Sequence, residues 1–222
     1  MNAPNKSSLT TNWTTNLTAV FHQNKPFWLA FAATWCVGFG LWATQSKGES
    51  VLWLAARRTD FWNDFFCVVT QFGAALPYFI IGALLLLLRR WRSLAQLSAT
   101  GLSILLIAYV LKNAFAADRP WAYFDHLHQG ALMGKSVEIE GYFLSVNSFP
   151  SGHTMGGFGW ATLAVLWLPK KYNFAALGIL LLAVLVGVSR LYLGEHFLED
   201  VLMGSLLGAT IAVAANKYLD WK

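Results

Sequence analysis

Charge is scarce in this chain of 222 residues. Asp, Glu, Lys and Arg together make up 12% of it, about half of what a soluble globular domain carries. That scarcity excludes an ordinary water-soluble fold, and a mean hydropathy of +0.48 points the same way. Cysteine is nearly absent, with only Cys36 and Cys67. Two cysteines exclude a disulfide framework, and their spacing excludes a cysteine metal site. The first 25 residues are polar, rich in Thr and Asn, and lack the apolar core of a signal peptide. The Asn12-Trp13-Thr14 and Asn16-Leu17-Thr18 matches to a glycosylation acceptor are read as chance in that tail. The net charge of +5 is not spread along a face that would suit nucleic acid.

What the chain has instead is apolar residues in long blocks. Crossing a bilayer takes about 20 residues of helix. Six blocks qualify: Phe27 to Thr44, Leu76 to Leu88 with a start near Phe66, Leu94 to Phe115, Met155 to Leu168, Phe174 to Val188, and Val201 to Ala215. The expected fold is therefore all-α, an integral membrane bundle of six transmembrane helices. It comprises a polar tail over 1–25 and one membrane domain over 26–222. The later blocks are short, so their helices must reach into flanking polar residues, which puts His153, His196 and Asp200 at helix ends near headgroup depth. Eleven Trp and 16 Phe suit aromatic belts at the two interfaces. "AARRTDFWNDFF" reads as an interfacial amphipathic helix. The Gly204 and Gly208 spacing suits close helix packing.

Six spans put both termini beside two short basic loops, Arg89 to Arg92 and Pro169 to Lys171. Nine Lys and Arg fall on that side and seven on the other. The positive-inside rule then places the termini in the cytoplasm. The longer, polar loops face the periplasm or exterior.

Three outer segments carry polar residues that a membrane protein does not place idly. "KNAFAADRP" holds Lys112, Arg119 and Pro120. "PSGH" runs from Pro150 to His153. "SRLYLGEHFLED" holds Ser189, Arg190, His196 and Asp200. Guanidinium forks match phosphate oxygens and lysine adds a point charge. Ser151 and Gly152 open a helix, where unpaired N–H groups favour an anion and glycine lets a ligand come close. His196 and Asp200 stand four apart, on one face if both are helical. The carboxylate would then orient the imidazole as a nucleophile for phosphoryl transfer, with His153 as the general acid and the cations on the phosphoryl oxygens. This chemistry invokes neither metal nor cofactor.

The pattern Lys-x6-Arg-Pro, Pro-Ser-Gly-His, Ser-Arg-x5-His-x3-Asp resembles the three-part signature of the type 2 phosphatidic acid phosphatase family, and no position between Lys112 and Asp200 departs from it. The resemblance implies a metal-independent lipid phosphatase with a phosphohistidine intermediate: His196 as nucleophile, Asp200 as its partner, His153 as acid, and Lys112, Arg119, Ser151, Gly152 and Arg190 on the phosphate. It implies a phosphorylated membrane lipid as the binding partner, an active site at the outer face, and no obligate protein partner. Phosphatidic acid, phosphatidylglycerol phosphate, undecaprenyl diphosphate and lipid A phosphates are the candidate substrates. Two alternatives stay open: a lipid phosphotransferase with an alcohol acceptor, and a lipid-phosphate binding or transport protein without turnover. Outside the signature, His126 and His128 read as exposed loop residues. Trp121, Tyr123 and Phe124 read as interface anchors, and Glu195 and Glu199 as either headgroup-tuning or solvated.

Overall fold

The computed structural model describes residues 21, 24–133 and 146–219. The polar tail over 1–20, with its two Asn-x-Thr matches, lies outside them, as does the middle of the loop expected between Trp121 and Phe149. Among the described residues the fold is all-helical. The helices are α1 (Lys25–Thr44), α2 (Glu49–Ala55), α3 (Asp60–Thr70), α4 (Ala75–Leu87), α5 (Trp91–Phe115), α6 (Pro120–His126), α7 (Gly152–Trp167), α8 (Asn173–Tyr192) and α9 (Leu198–Tyr218). Four stretches are long and apolar enough to cross a membrane: Lys25–Thr44, Trp91–His126, Lys170–Tyr192 and Leu198–Tyr218. The bent pair Asp60–Gly73 and Ala75–Leu87 makes a fifth.

Two expectations change here. The segment "AARRTDFWNDFF" is not one interfacial helix. Thr59 interrupts it with extended backbone, and its Oγ1 accepts from the Trp62 N–H at 3.4 Å, capping α3. The second half therefore joins the second span, which starts at Asp60. That span is also broken. Gln71–Gly73 is a 3-10 turn, Ala74 is extended, and the two parts meet at 50°.

The centre of the bundle is α7. Twelve of its sixteen residues are buried. Phe158, Leu163 and Val165 pack in one cluster with Phe27 of α1, Leu85 of α4, Leu97 of α5, Leu180 of α8 and Ala212 of α9. The outer helices instead expose Leu, Phe and Val around their rims, as at Phe79, Leu102, Leu105 and Leu181. In a bilayer such surfaces face lipid, and association relies on close packing rather than on water exclusion. Gly204 and Gly208 supply that packing. A Cβ on Gly208 would meet the Met155 carbonyl carbon and Cα at 3.0 Å, and one on Gly204 the Ser151 carbonyl oxygen at 2.8 Å. The α9 backbone thus lies directly on α7.

Polar ties hold the end of the bundle remote from the signature residues. Asn24 Nδ2 donates to Val165 O at 2.8 Å, Trp167 Nε1 to Gln96 Oε1 at 2.8 Å, and Gln96 Nε2 to Asn216 O at 3.1 Å. Asn24 and Gln96 are both buried, and leaving their amide N–H groups unpaired there would be costly.

Candidate active site

At the other end, α5 and α8 finish while α7 and α9 begin, and all eight site residues read from the sequence meet there. Lys112 sits in the last turn of α5 and donates to Asn147 O at 2.6 Å. Ala116 ends that helix in the left-handed region. Arg119 follows, with Nε donating to Val146 O at 3.2 Å. Arg190 lies in the last turn of α8 and is buried. Its Nη1 donates to Thr70 Oγ1 at 2.7 Å. Arg190, Arg119 and Lys112 all stand within electrostatic reach of His196.

His196 and Asp200 do not share a helix face. His196 precedes α9, whose N-cap is Phe197, and Asp200 occupies the third helical position. Asp200 Oδ2 reaches back to accept from the Phe197 N–H at 2.9 Å and lies 3.4 Å from His196 Nδ1. The pair is therefore built by helix-capping geometry, in which a carboxylate three residues into a helix accepts from the N-cap N–H. Ser148 completes it. Its Oγ donates to Asp200 Oδ2 at 2.5 Å and stands 3.3 Å from His196 Nδ1. All three residues are buried. With Nδ1–H donating toward Asp200 and Ser148, the Nε2 lone pair is left for chemistry. Burial first, and then the Arg190, Arg119 and Lys112 charges, hold His196 well below the usual imidazole range. The neutral ring is the form favoured there.

Ser151 opens α7 as its N-cap, as its motif suggests. Its backbone N–H donates to Asp200 O at 3.1 Å. Its Oγ caps α7, accepting from the Thr154 N–H at 3.4 Å and from Thr154 Oγ1 at 2.9 Å. The N–H groups that an α-helix leaves without intrahelical partners are then those of Gly152 and His153. A Cβ on Gly152 would meet nothing within 4 Å, so this backbone faces open space. Among the described residues, no three His, Cys, Asp or Glu side chains cluster as a metal site.

Beside His153 a cavity of about 840 Å³ runs between α4 and α5, lined by Tyr78, Gly82, Leu97, Gly101 and Ile104. Gly73 brings the broken second span to the same place, because a Cβ there would strike the His153 main chain, with its carbonyl carbon at 2.9 Å.

Several contributors escape motif reading. Ser148 and Thr70 are hydroxyls with no spacing signal. Arg58 clamps the end of α8, with Nε and Nη2 donating to Tyr192 O at 2.9 and 2.8 Å and Nη1 donating to Met133 O at 2.9 Å. Gly194, at φ 75°, lets the chain turn from α8 toward His196. Phe124 is not an interface anchor. It is buried against Val51, Met133, Leu191 and Phe197. His126 and His128 are exposed.

Comparison with known proteins bears on this arrangement. The sequence pattern of the PAP2 superfamily matches residues 92–222. Phosphatidylglycerophosphatase B of Bacillus subtilis is 33% identical over 75% of this chain and 80% of its own. A lipid A 4'-phosphatase of Helicobacter pylori is 26% identical over 71% and 74%. The crystal structure of a transmembrane PAP2-type phosphatidylglycerolphosphate phosphatase from Bacillus subtilis superposes with a TM-score of 0.60 at 27% identity, covering 89% of this chain and 96% of that one.

Proposed function

Because the chain belongs to the PAP2 superfamily and is a membrane-embedded phosphoric-ester hydrolase of that family, we propose that it releases phosphate from a glycerophospholipid phosphate monoester through a phosphohistidine on His196. Phosphatidylglycerol phosphate is the first substrate to test, since the Bacillus subtilis phosphatase named for it is similar over most of both chains. The observation that carries the reading is the buried His196–Asp200–Ser148 cluster facing Lys112, Arg119 and Arg190.

The steps follow from the atoms. The lipid phosphate binds among Lys112, Arg119, Arg190 and the N–H groups of Gly152 and His153. His196 Nε2 attacks phosphorus as the bond to the lipid oxygen breaks. His153, protonated once the phosphate dianion sits beside it, gives its proton to that oxygen, and the lipid alcohol leaves. A water deprotonated by His153 then attacks the phosphohistidine, freeing orthophosphate and restoring His196. Asp200 and Ser148 hold Nδ1–H throughout and offset the positive charge on the ring. Fixed cations stabilise the equatorial oxygens in the transition state. Ser151 acts indirectly, by capping α7 and fixing its N-terminus on Asp200.

The apolar cavity ending at His153 supports a lipid substrate, since an acyl chain can lie between α4 and α5 while its headgroup meets the cations. We place α7 as the sixth span. Its sixteen residues measure about 24 Å, less than the roughly 30 Å hydrocarbon thickness, so the segments flanking it complete the crossing. The lysine and arginine count supports cytoplasmic termini and an outward-facing site.

Full-length protein in detergent should release orthophosphate from phosphatidylglycerol phosphate without added divalent cation. Phosphatidic acid, undecaprenyl diphosphate and lipid A complete the panel. His196→Ala should reduce release to background, and an active His196→Ala protein would refute the nucleophile.

A further inference from the structure

The two arginines assigned above to substrate phosphate are bridged by a carboxylate of the chain itself. Glu195 Oε2 accepts from Arg119 Nη1 and stands 3.6 Å from Arg190 Nη2. Its backbone is fixed as well, because the Glu195 N–H donates to Arg190 O at 3.0 Å and the left-handed Gly194 precedes it. The Glu195 side chain is 26% exposed, against 9% for Arg119 and 6% for Arg190. The carboxylate is therefore the most accessible of the three groups, within reach of an arriving anion. Carboxylate and phosphate offer guanidinium forks similar pairs of oxygens, so both cannot hold the same donors at once.

We propose that Glu195 is an intramolecular competitor for the phosphate seat. Its carboxylate holds Arg119 and Arg190 until a substrate phosphate displaces it, and it returns after the chemistry to expel orthophosphate. The competition selects for anchored substrates. A lipid phosphate held by its acyl chains presents its headgroup at high effective concentration and displaces Glu195. Free orthophosphate and short soluble phosphate esters have no such help. The proposal rests on the phosphate assignment of the preceding subsection.

The test measures the inhibition constant of orthophosphate, together with kcat and KM for phosphatidic acid, in the full-length wild type and in Glu195→Gln, Glu195→Asp and Glu195→Ala. Loss of the competing charge should lower the inhibition constant about tenfold in Glu195→Gln, equivalent to one charged contact, with KM falling in the same direction. Glu195→Asp, which keeps the charge, should stay nearer the wild type. Should the glutamine variant fail to fold, the order of Asp above Ala in inhibition constant carries the same information. If Glu195 only props the arginines in place, orthophosphate will bind more weakly in the neutral variants, and that result, or no change, overturns the proposal. A wild type that releases no phosphate from any lipid phosphate overturns the phosphatase reading and this one with it. A wild type inhibited by orthophosphate with no gain in Glu195→Gln overturns the competitor alone.

Discussion

Replacing Ser148 with alanine perturbs the His196–Asp200 pair without altering either residue. Ser148 is fully buried, and its Oγ–H donates to Asp200 Oδ2 at 2.5 Å while lying 3.3 Å from His196 Nδ1. A hydrogen bond to a charged group contributes about 1.5–3 kcal/mol. Asp200 Oδ2 keeps the Phe197 N–H at 2.9 Å in the variant, so the carboxylate stays placed and the lower end of that range applies. The expected loss is about 1.5–2 kcal/mol in transition-state stabilisation, or about 10–30-fold in kcat/KM. The fall should lie mainly in kcat, because Ser148 Oγ bonds the proposed nucleophile pair rather than the phosphate-binding cations. Steady-state release of orthophosphate from a lipid phosphate in detergent measures it, with Asp200→Asn as the comparison. Asp200→Asn should cost more, since it removes the charge that offsets the imidazolium. A Ser148→Ala enzyme within twofold of wild type, or one whose loss lies entirely in KM, would refute the orienting role.

Two further outcomes follow from the scaffold. Thr70→Val removes the acceptor that receives Arg190 Nη1 at 2.7 Å. It should raise KM and lower kcat/KM by about 10–100-fold, and Thr70→Ser, which keeps the hydroxyl, should recover most of the loss in the same assay. Gly208→Val places a side chain against the Met155 main chain, where nothing can give way. Size-exclusion chromatography in detergent should show loss of monodisperse protein, whereas Gly178→Ala, with nothing within 4 Å of the new Cβ, should run as wild type.

The sequence is informative where hydrophobic length and charge chemistry decide the outcome, and less so where backbone geometry does. Each apolar block became helix, and all eight charged, histidine, serine and glycine positions of the signature meet at one end. Composition did not reveal the break in the second span. Gln71–Gly73 turns because the chain must pass the His153 backbone, a constraint set by a segment some eighty residues away. The spacing of His196 and Asp200 suggested a shared helix face, yet the contact arises from a cap, since a carboxylate at the third position of α9 reaches the turn before it. Both geometries satisfy a four-residue interval, so the interval alone cannot separate them. Ser148, Thr70 and Arg58 were missed for a related reason. Each acts through a few tertiary hydrogen bonds, and such contacts leave no periodic trace in sequence.

The break in the second span also bears on how this protein can be taken apart and recombined. The stretch that matches the family pattern begins at residue 92, and every residue of the three-part signature lies inside it. Thr70, which receives Arg190, and Arg58, which clamps the end of α8, lie outside it. A fragment cut at the pattern's edge would keep the whole signature and lose the supports of the turn that presents it. Chimeras between relatives therefore divide unequally. A junction in the basic loop between α4 and α5 separates Arg190 from the hydroxyl that holds it, whereas a junction between α1 and α2 keeps both on one parent.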